Sequence, residues 1–350
     1  MTEKNEAFGG AALVETLHVG DRQAHGPLAV FPLYLDGEAQ AGGPRYVTLR
    51  EALADHRARI TEVSEGGSVP ELRVVNSGDA RILVLDGEEL RGAKQNRVLN
   101  TSILIGKQSS LVVPVSCTEQ GRWSYASEAF AESEMVADRQ VRFAMKDSTN
   151  ASLHAGAGHR TDQGRVWSEV GALHARHGTH SETGAMRDAY QTRKRDLDRV
   201  LAAFPLVDGQ QGMLVLHGDH VVGLDLVSRA PQYAELHEKL LRSYAFEALV
   251  RDGEPGDRAV ADAFLERIAG LPGRRYKSPG LGWDVRFEGG GVLGSALTYR
   301  GHAVHAAFFD VGGVSEAGES GGGDPRRQRR PHPDWRIADA RERARRRQSR

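Results

Sequence analysis

The stretch that decides the reading of this chain is Asp86–Trp123, DGEELRGAKQNRVLNTSILIGKQSSLVVPVSCTEQGRW. Asp86-Gly87 has the form of a two-residue hairpin turn, because both central positions of a type I′ turn need positive φ. Gly92 marks a second bend, and the apolar runs Arg97–Ile105 and Ser110–Ser116 read as the strands that follow. Pro114 cannot donate to a ladder, so the second strand is expected at a sheet edge or with a bulge. Into this segment the chain packs Glu88, Glu89, Lys94, Gln95, Asn96, Arg97, Asn100, Glu119, Arg122, Trp123 and its only cysteine, Cys117. If residues 96–104 are extended, Asn96, Asn100 and Ser102 share one face and Leu99, Ile103 and Ile105 the other. On the next strand Leu111, Val113 and Val115 share a face with Cys117 and Glu119.

Working outward, Leu28–Leu35 is an apolar run with strand character, and Thr48-Leu49-Arg50-Glu51 has the form of a capping box opening a short helix through His56. Arg59–Ser64, Glu71–Val75 and Arg81–Leu85 follow as strands. The middle is read as helical, over Ser133–Met145, Thr161–His177 and Thr183–Phe204, the last stopped by Pro205. Met213–Leu216 and Val221–Val227 flank His217-Gly218-Asp219-His220 as a hairpin. Pro231 starts a long helix to about Val250 at a position where proline is tolerated. Arg258–Ala269 is one more helix, and strands at Val285–Phe287, Leu293–Tyr299 and Val304–Phe309 close the domain. Strands and helices cluster without alternating, which predicts an α+β class: a single domain over residues 1–311 on a mixed or antiparallel sheet, with a central helical segment.

The net charge of −1 hides a split. Residues 326–350 hold eleven Arg against Asp334, Asp339 and Glu342, a balance of +8, which leaves −9 on residues 1–325. Residues 312–350 are Gly-rich and then Arg-rich, too poor in apolar material to fold alone, so a disordered tail is expected. A solvated tail is the plainer reading there, and specific nucleic-acid recognition is not expected. One cysteine excludes an intramolecular disulfide. With no signal-like N-terminus and no apolar window long enough to span a bilayer, a cytoplasmic location and no membrane partner are expected. Walker A, dinucleotide-fingerprint, Gly-x-Ser-x-Gly and Cys-x2-Cys patterns are absent. His154, His159, His174, His177 and His180 invite a metal reading, but His180 follows Gly178 and the run would have to break its helix to converge, so no metal site is expected.

Within the polar segment, Lys94 and Arg97 suit a phosphate or carboxylate. Asn96 and Asn100 can donate and accept at once, as ribose hydroxyls or an amide require. Gln95, Arg122 and Trp123 complete the expected ligand-binding set. Glu88, Glu89 or Glu119 can serve as a base or hold a cation through oxygen. Against this stands a solvated face with weak ion pairs. Cys117 is a nucleophile only if a base lowers its pKa, and no sequence-local histidine does so; packing is the plainer role. Trp123 either stacks on a ligand or anchors the segment by partial burial.

Leu85-Asp86-Gly87-Glu88-Glu89-Leu90, Gly92-Ala93-Lys94-Gln95-Asn96-Arg97, Asn100-Thr101-Ser102 and Pro114–Trp123 resemble a family of prokaryotic proteins named for its association with ADP-ribosylglycohydrolase and rhodanese-phosphatase-like proteins, the ARPP-type domain. Gly67–Leu72, Asp162-Gln163 with Val166-Trp167, and Gly294-Ser295-Ala296 are similar too. The resemblance spans roughly residues 10–310, hence one domain. It implies an ADP-ribose- or nucleotide-linked role and assigns no catalytic residue and no cofactor. Two functions stand side by side: binding, with or without processing, of a phosphorylated or ribosylated small molecule at residues 86–123, or a non-catalytic interaction module that works with a partner enzyme.

Overall fold

The computed structural model describes residues 8–37, 43–64 and 69–312. The expected tail, from residue 313 on, and Gly67-Ser68 of the resemblance lie outside the described residues. The chain opens with α1 (Gly10–Val14), β1 (Leu17–Val19), β2 (Gln23–His25) and β3 (Leu28–Leu35). A second block holds β4 (Tyr46–Thr48), α2 (Leu49–Ala54), β5 (Ala58–Glu62), β6 (Glu71–Asn76), β7 (Arg81–Val84), β8 (Glu88–Gly92), β9 (Arg97–Leu99), β10 (Ile103–Ile105), β11 (Ser109–Cys117) and β12 (Phe130–Val136). Then come the helices α3 (Arg139–His154), α4 (Gln163–His177), α5 (Met186–Thr192) and α6 (Lys194–Leu201). The last block is β13 (Gly212–His217), β14 (His220–Val227), α7 (Ala230–Ala248), α8 (Arg258–Ala269), β15 (Arg274–Lys277), β16 (Trp283–Gly289), β17 (Val292–Tyr299) and β18 (His302–Asp310). The class is α+β, with the strands in three sheets.

The nine-stranded sheet runs β1-β3-β13-β14-β18-β17-β16-β15, with β2 also on β3. It is covered on both faces, which is why β3 and β13 read as nearly unbroken apolar runs. Val30, Met213 and Val215 face the layer of Tyr233, Leu240 and Phe246 on α7. Their alternates Phe31, Leu33, Leu214 and Leu216 face Phe264 and Ile268 on α8. Gly294 on β17 lies opposite Phe308 on β18. A Cβ there would sit 2.1 Å from the Phe308 ring, so the glycine makes room for the aromatic. Gly294→Ala is expected to cost about 1–3 kcal/mol through overpacking, measured by urea denaturation.

Residues of the second block make the other two sheets, β12-β8-β9-β11-β6-β5 and β10-β7-β4. Leu72, Val74, Val84, Leu90, Ile103 and Val113 belong to the core they enclose. The capping box is present: the Glu51 amide donates to Thr48 Oγ1 (3.2 Å) and the Thr48 amide to Glu51 Oε2 (2.6 Å).

Asp86-Gly87 is a turn, with the Glu88 amide donating to the Leu85 carbonyl at 3.2 Å. It does not close a hairpin. Only Gly87 has positive φ, 78°, and the flanking strands β7 and β8 enter different sheets. The expected strand 97–105 breaks in the same way: β9 pairs with β11, β10 pairs with β7, and Asn100-Thr101-Ser102 cross between the sheets. The expected shared face of Asn96, Asn100 and Ser102 is lost with that break. Pro114 sits where β11 is still an edge on one side, since Ser109–Pro114 pair with β6 alone and β9 joins only from Val115. It marks where β11 exchanges its partner β6 for β9, and its carbonyl accepts from the Asn100 amide (3.1 Å) on the side where β9 has ended. The missing proline N–H therefore costs no ladder bond.

The helix expected over Ser133–Met145 is β12 followed by α3. Pairing of Phe130, Glu132 and Val136 with β8 recruits the first part into a sheet, and Asp138 then caps α3 by accepting from the Gln140 amide at 3.0 Å. The helix expected over Thr183–Phe204 is two, α5 and α6, parted at Arg193 (φ −101°, ψ 14°). α4 stops at Gly178 in the left-handed conformation, φ 59°. Among the described residues no helix is long and apolar enough to cross a membrane.

Candidate functional site

The polar side chains of residues 86–123 separate into four places. Asp86 turns inward and meets α3, whose Arg142 and Lys146 lie one helical turn apart on the same face. Lys146 Nζ is 3.1 Å from Asp86 Oδ2 and donates to Ser295 Oγ at 2.6 Å. Arg142 holds Asp225 on β14 with two bonds, 2.7 and 2.8 Å. His305 on β18 links both acids, with Nε2 3.2 Å from Asp225 and Nδ1 2.8 Å from Ser102, whose hydroxyl donates to Asp86 (3.0 Å). All these residues are buried. Burial alone would raise both carboxyls. Lys146 and Arg142 overcome it at Asp86 and hold that group well below the usual range. Arg142 and His305 bring Asp225 down to about 2. This network joins the nine-stranded sheet to the turn between the other two.

A second place is the loop corner after β8. Arg122 donates to Glu119 through Nε (3.0 Å) and Nη2 (2.7 Å), and to the Ala93 carbonyl at 2.7 Å. Glu119 also accepts from the Asn96 amide (3.1 Å) and Thr183 Oγ1 (2.9 Å). Its pKa is lowered because these bonds, Arg122 first, outweigh the opposing effect of burial. Glu119, Arg122 and Asn96 thus tie loops together. Arg97 is fully buried, with Nη1 on Gln95 Oε1 at 3.0 Å and Nη2 3.9 Å from Glu62. Trp123 is 49% exposed, the partial burial expected of an anchor. Its ring lies under Lys94 (5.5 Å) and Arg97 (5.6 Å), and Tyr125 is also 5.0 Å from Lys94.

Glu88, Glu89 and Cys117 point into the interior. Glu88 pairs with Lys239 of α7 and accepts from the Leu85 amide at 2.9 Å. Glu89 accepts from Thr118 at 3.0 Å, and burial pushes its carboxyl up to about 7. Cys117 is buried, and burial pushes its thiol up to about 11, with Arg97 opposing. It is a packing residue here, because a neutral, enclosed thiol is a poor nucleophile.

Asn100 alone of the expected set lines a cleft of about 520 Å³ between the β11 strand and the loop ahead of α4. Its amide donates to the His159 carbonyl (3.0 Å), and its oxygen accepts from Ser116 (2.8 Å), which also touches the Thr161 hydroxyl. Arg160 and Lys277 are exposed on the same lining, beside one acid, Glu71. His159 Nε2 is 3.0 Å from Asp284 Oδ2, and Asp284 also accepts from Thr101 Oγ1 (2.8 Å) and from Arg286. Burial opposes ionisation of Asp284, but Arg286 and His159 prevail and hold it well below the usual carboxylate range. The other histidines of the run go elsewhere. His174 is bound to Thr179 (2.8 Å) and the Ala185 carbonyl (3.1 Å), and His177 stacks on Phe246 at 3.9 Å.

His159 was visible in the sequence only as a member of that run. Arg160, Thr161, Lys277, Asp284 and Arg286 went unread. A signal for two of them was present: Asp284 and Arg286 fall at i and i+2, on one face of a strand otherwise built of Val285 and Phe287. A charged pair on a core strand implies buried partners.

No curated protein and no solved structure matches the chain. The family model of the ARG and Rhodanese-Phosphatase-superfamily-associated Protein domain, ARPP-1, matches residues 16–309, which takes in all three sheets and the cleft. The chain therefore belongs to the ARPP-1 family, whose name records association with ADP-ribosylglycohydrolase and rhodanese-phosphatase proteins.

Proposed function

We propose that the cleft at Asn100, His159 and Arg160 binds a small phosphorylated or ribosylated molecule of the ADP-ribose or nucleotide kind. The observation that carries this reading is the juxtaposition of Arg160 and Lys277 over a floor of hydroxyl groups from Ser116 and Thr161. Guanidinium and ammonium groups suit phosphate, and hydroxyls suit ribose. The volume lies in the range that small ligands occupy. The family's association with ADP-ribosylglycohydrolase proteins supports the same ligand class. Asn100 serves by fixing the His159 loop, since both ends of its carboxamide are engaged.

Thermal denaturation of the full chain with ADP-ribose, NAD, AMP and ribose 5-phosphate tests this. At a ligand concentration about a hundredfold above Kd the stabilisation is about 2.7 kcal/mol. Arg160→Ala with Lys277→Ala should remove the shift and leave the unliganded melting temperature within about 1 °C, as expected for exposed residues. A shift that survives the double substitution would refute the assignment.

A second reading, docking on a partner enzyme, draws on the half-exposed Trp123 and Tyr125. It expects no ligand to shift the melting temperature, and it expects Trp123→Ala with Tyr125→Ala to abolish partner binding.

A further inference from the structure

We infer that this cleft is also an active site, in which His159, oriented by Asp284, is the general base for hydrolysis of a phosphate ester. The inference rests on the binding reading above and adds a reaction to it.

The Asp284 carboxylate engages Nε2 of the ring. An acid held in its ionised form by Arg286 and Thr101, with Oδ2 3.0 Å from Nε2, favours the tautomer that carries its proton on that nitrogen and leaves the lone pair on Nδ1. Asp284 is shut away at 2% exposure, whereas the His159 side chain is 10% exposed and lines the cleft. The dyad therefore has one buried end and one end at the ligand volume. Packing does not call for this arrangement. Asp284 and Arg286 already neutralise each other on β16, and Arg286 is further fixed by Asn150 Oδ1 at 3.3 Å. A histidine at the cleft wall supplies a proton acceptor. Arg160 follows His159 directly in the chain, so the base and a phosphate-binding cation are positioned by the same loop.

In the step, the oxygen of a water molecule bonds to phosphorus, and the water proton passes to His159 Nδ1. The ester P–O bond breaks, and its electron pair goes to the leaving oxygen. The imidazolium then gives its proton to that oxygen, releasing an alcohol and inorganic phosphate. The step is redox-neutral, and water is the only co-reactant. Asp284 is a positioning residue that acts through His159.

The experiment follows binding and turnover side by side on the full chain, with AMP, ribose 5-phosphate and p-nitrophenyl phosphate as probes. Binding is read by thermal shift and turnover by release of inorganic phosphate. The wild type is expected to bind and to hydrolyse at least one probe. His159→Gln should keep the thermal shift while kcat falls about a hundredfold or more. Asp284→Asn should lower kcat with KM unchanged, a split that a merely structural loss does not produce. Binding without phosphate release, or turnover unchanged in His159→Gln, would overturn the inference and leave the binding reading standing. Absence of any shift would overturn both.

Discussion

Asp225→Ala is expected to lose about 3–5 kcal/mol of stability. The substitution leaves the Arg142 guanidinium fully buried without its two-bonded partner, and an uncompensated buried charge is costly. It also takes an acceptor from the Tyr244 hydroxyl and from His305 Nε2. Urea denaturation should show a lower midpoint with an unchanged slope. Replacing both partners, Arg142→Met with Asp225→Leu, should recover much of the loss, because a well-packed apolar pair avoids the desolvation of both ions. If Asp225→Ala costs under about 1 kcal/mol, the pair is not the joint between α3 and the nine-stranded sheet. The pH dependence has a fixed sign. Asp225 titrates at about 2 in the folded protein and at about 3.9 when unfolded. Its contribution is present above the unfolded value and is lost as pH falls from about 4 to about 2. Asp86 and Asp284 are shifted in the same direction, so acid unfolding should be steep in that window.

Glu89→Gln should act in the opposite sense and stabilise the protein at neutral pH and above. Burial pushes the Glu89 carboxyl up to about 7, against about 4.3 in an unfolded chain. The folded state then holds a proton that the unfolded state has released. Stability contributed by the protonated form is complete below about 4.3 and declines as pH rises to about 7. The difference amounts to about 4 kcal/mol at pH 8. Glutamine copies the protonated acid, accepting from Thr118 and offering a donor on the other side. The variant should therefore match the wild type near pH 4.5 and exceed it at pH 8. Asp138, raised to about 6, keeps its own decline, so the two profiles should separate most clearly between pH 6 and 7.5. Melting temperatures across that range decide the matter. Parallel profiles would mean that Glu89 is already ionised in the folded protein.

What the sequence disclosed followed the range of the interaction responsible. The Thr48–Glu51 capping box, the start of α7 beside Pro231 and the β13–β14 hairpin depend on neighbours a few residues away, and all three stand where expected. β12 depends on β8, a partner about 40 residues earlier that no local pattern in Ser133–Met145 signals. The Asp86-Gly87 turn was correctly placed but wrongly connected, because turn chemistry fixes a change of direction and not the sheet that the next strand joins. The candidate site divides in the same manner. Polar density singled out residues 86–123, yet most of that density ties the three sheets and their loops together. The cleft draws its chemistry from His159, Arg160, Thr161, Lys277 and Asp284, which come from separate blocks and share no local pattern.

The interleaving of the blocks sets an order of events during synthesis. Leu33 of β3 pairs with Gly212 of β13, 179 residues later. At ordinary rates of translation the N-terminal strand waits about 10–40 s for its partner. The second block, residues 46–136, carries two sheets and a core of its own and can assemble in that interval. β3 meanwhile has only the short β1 and β2 on one side and an open apolar edge where β13 will pair, which leaves a nascent chain arrested before residue 212 exposed to aggregation and to chaperones.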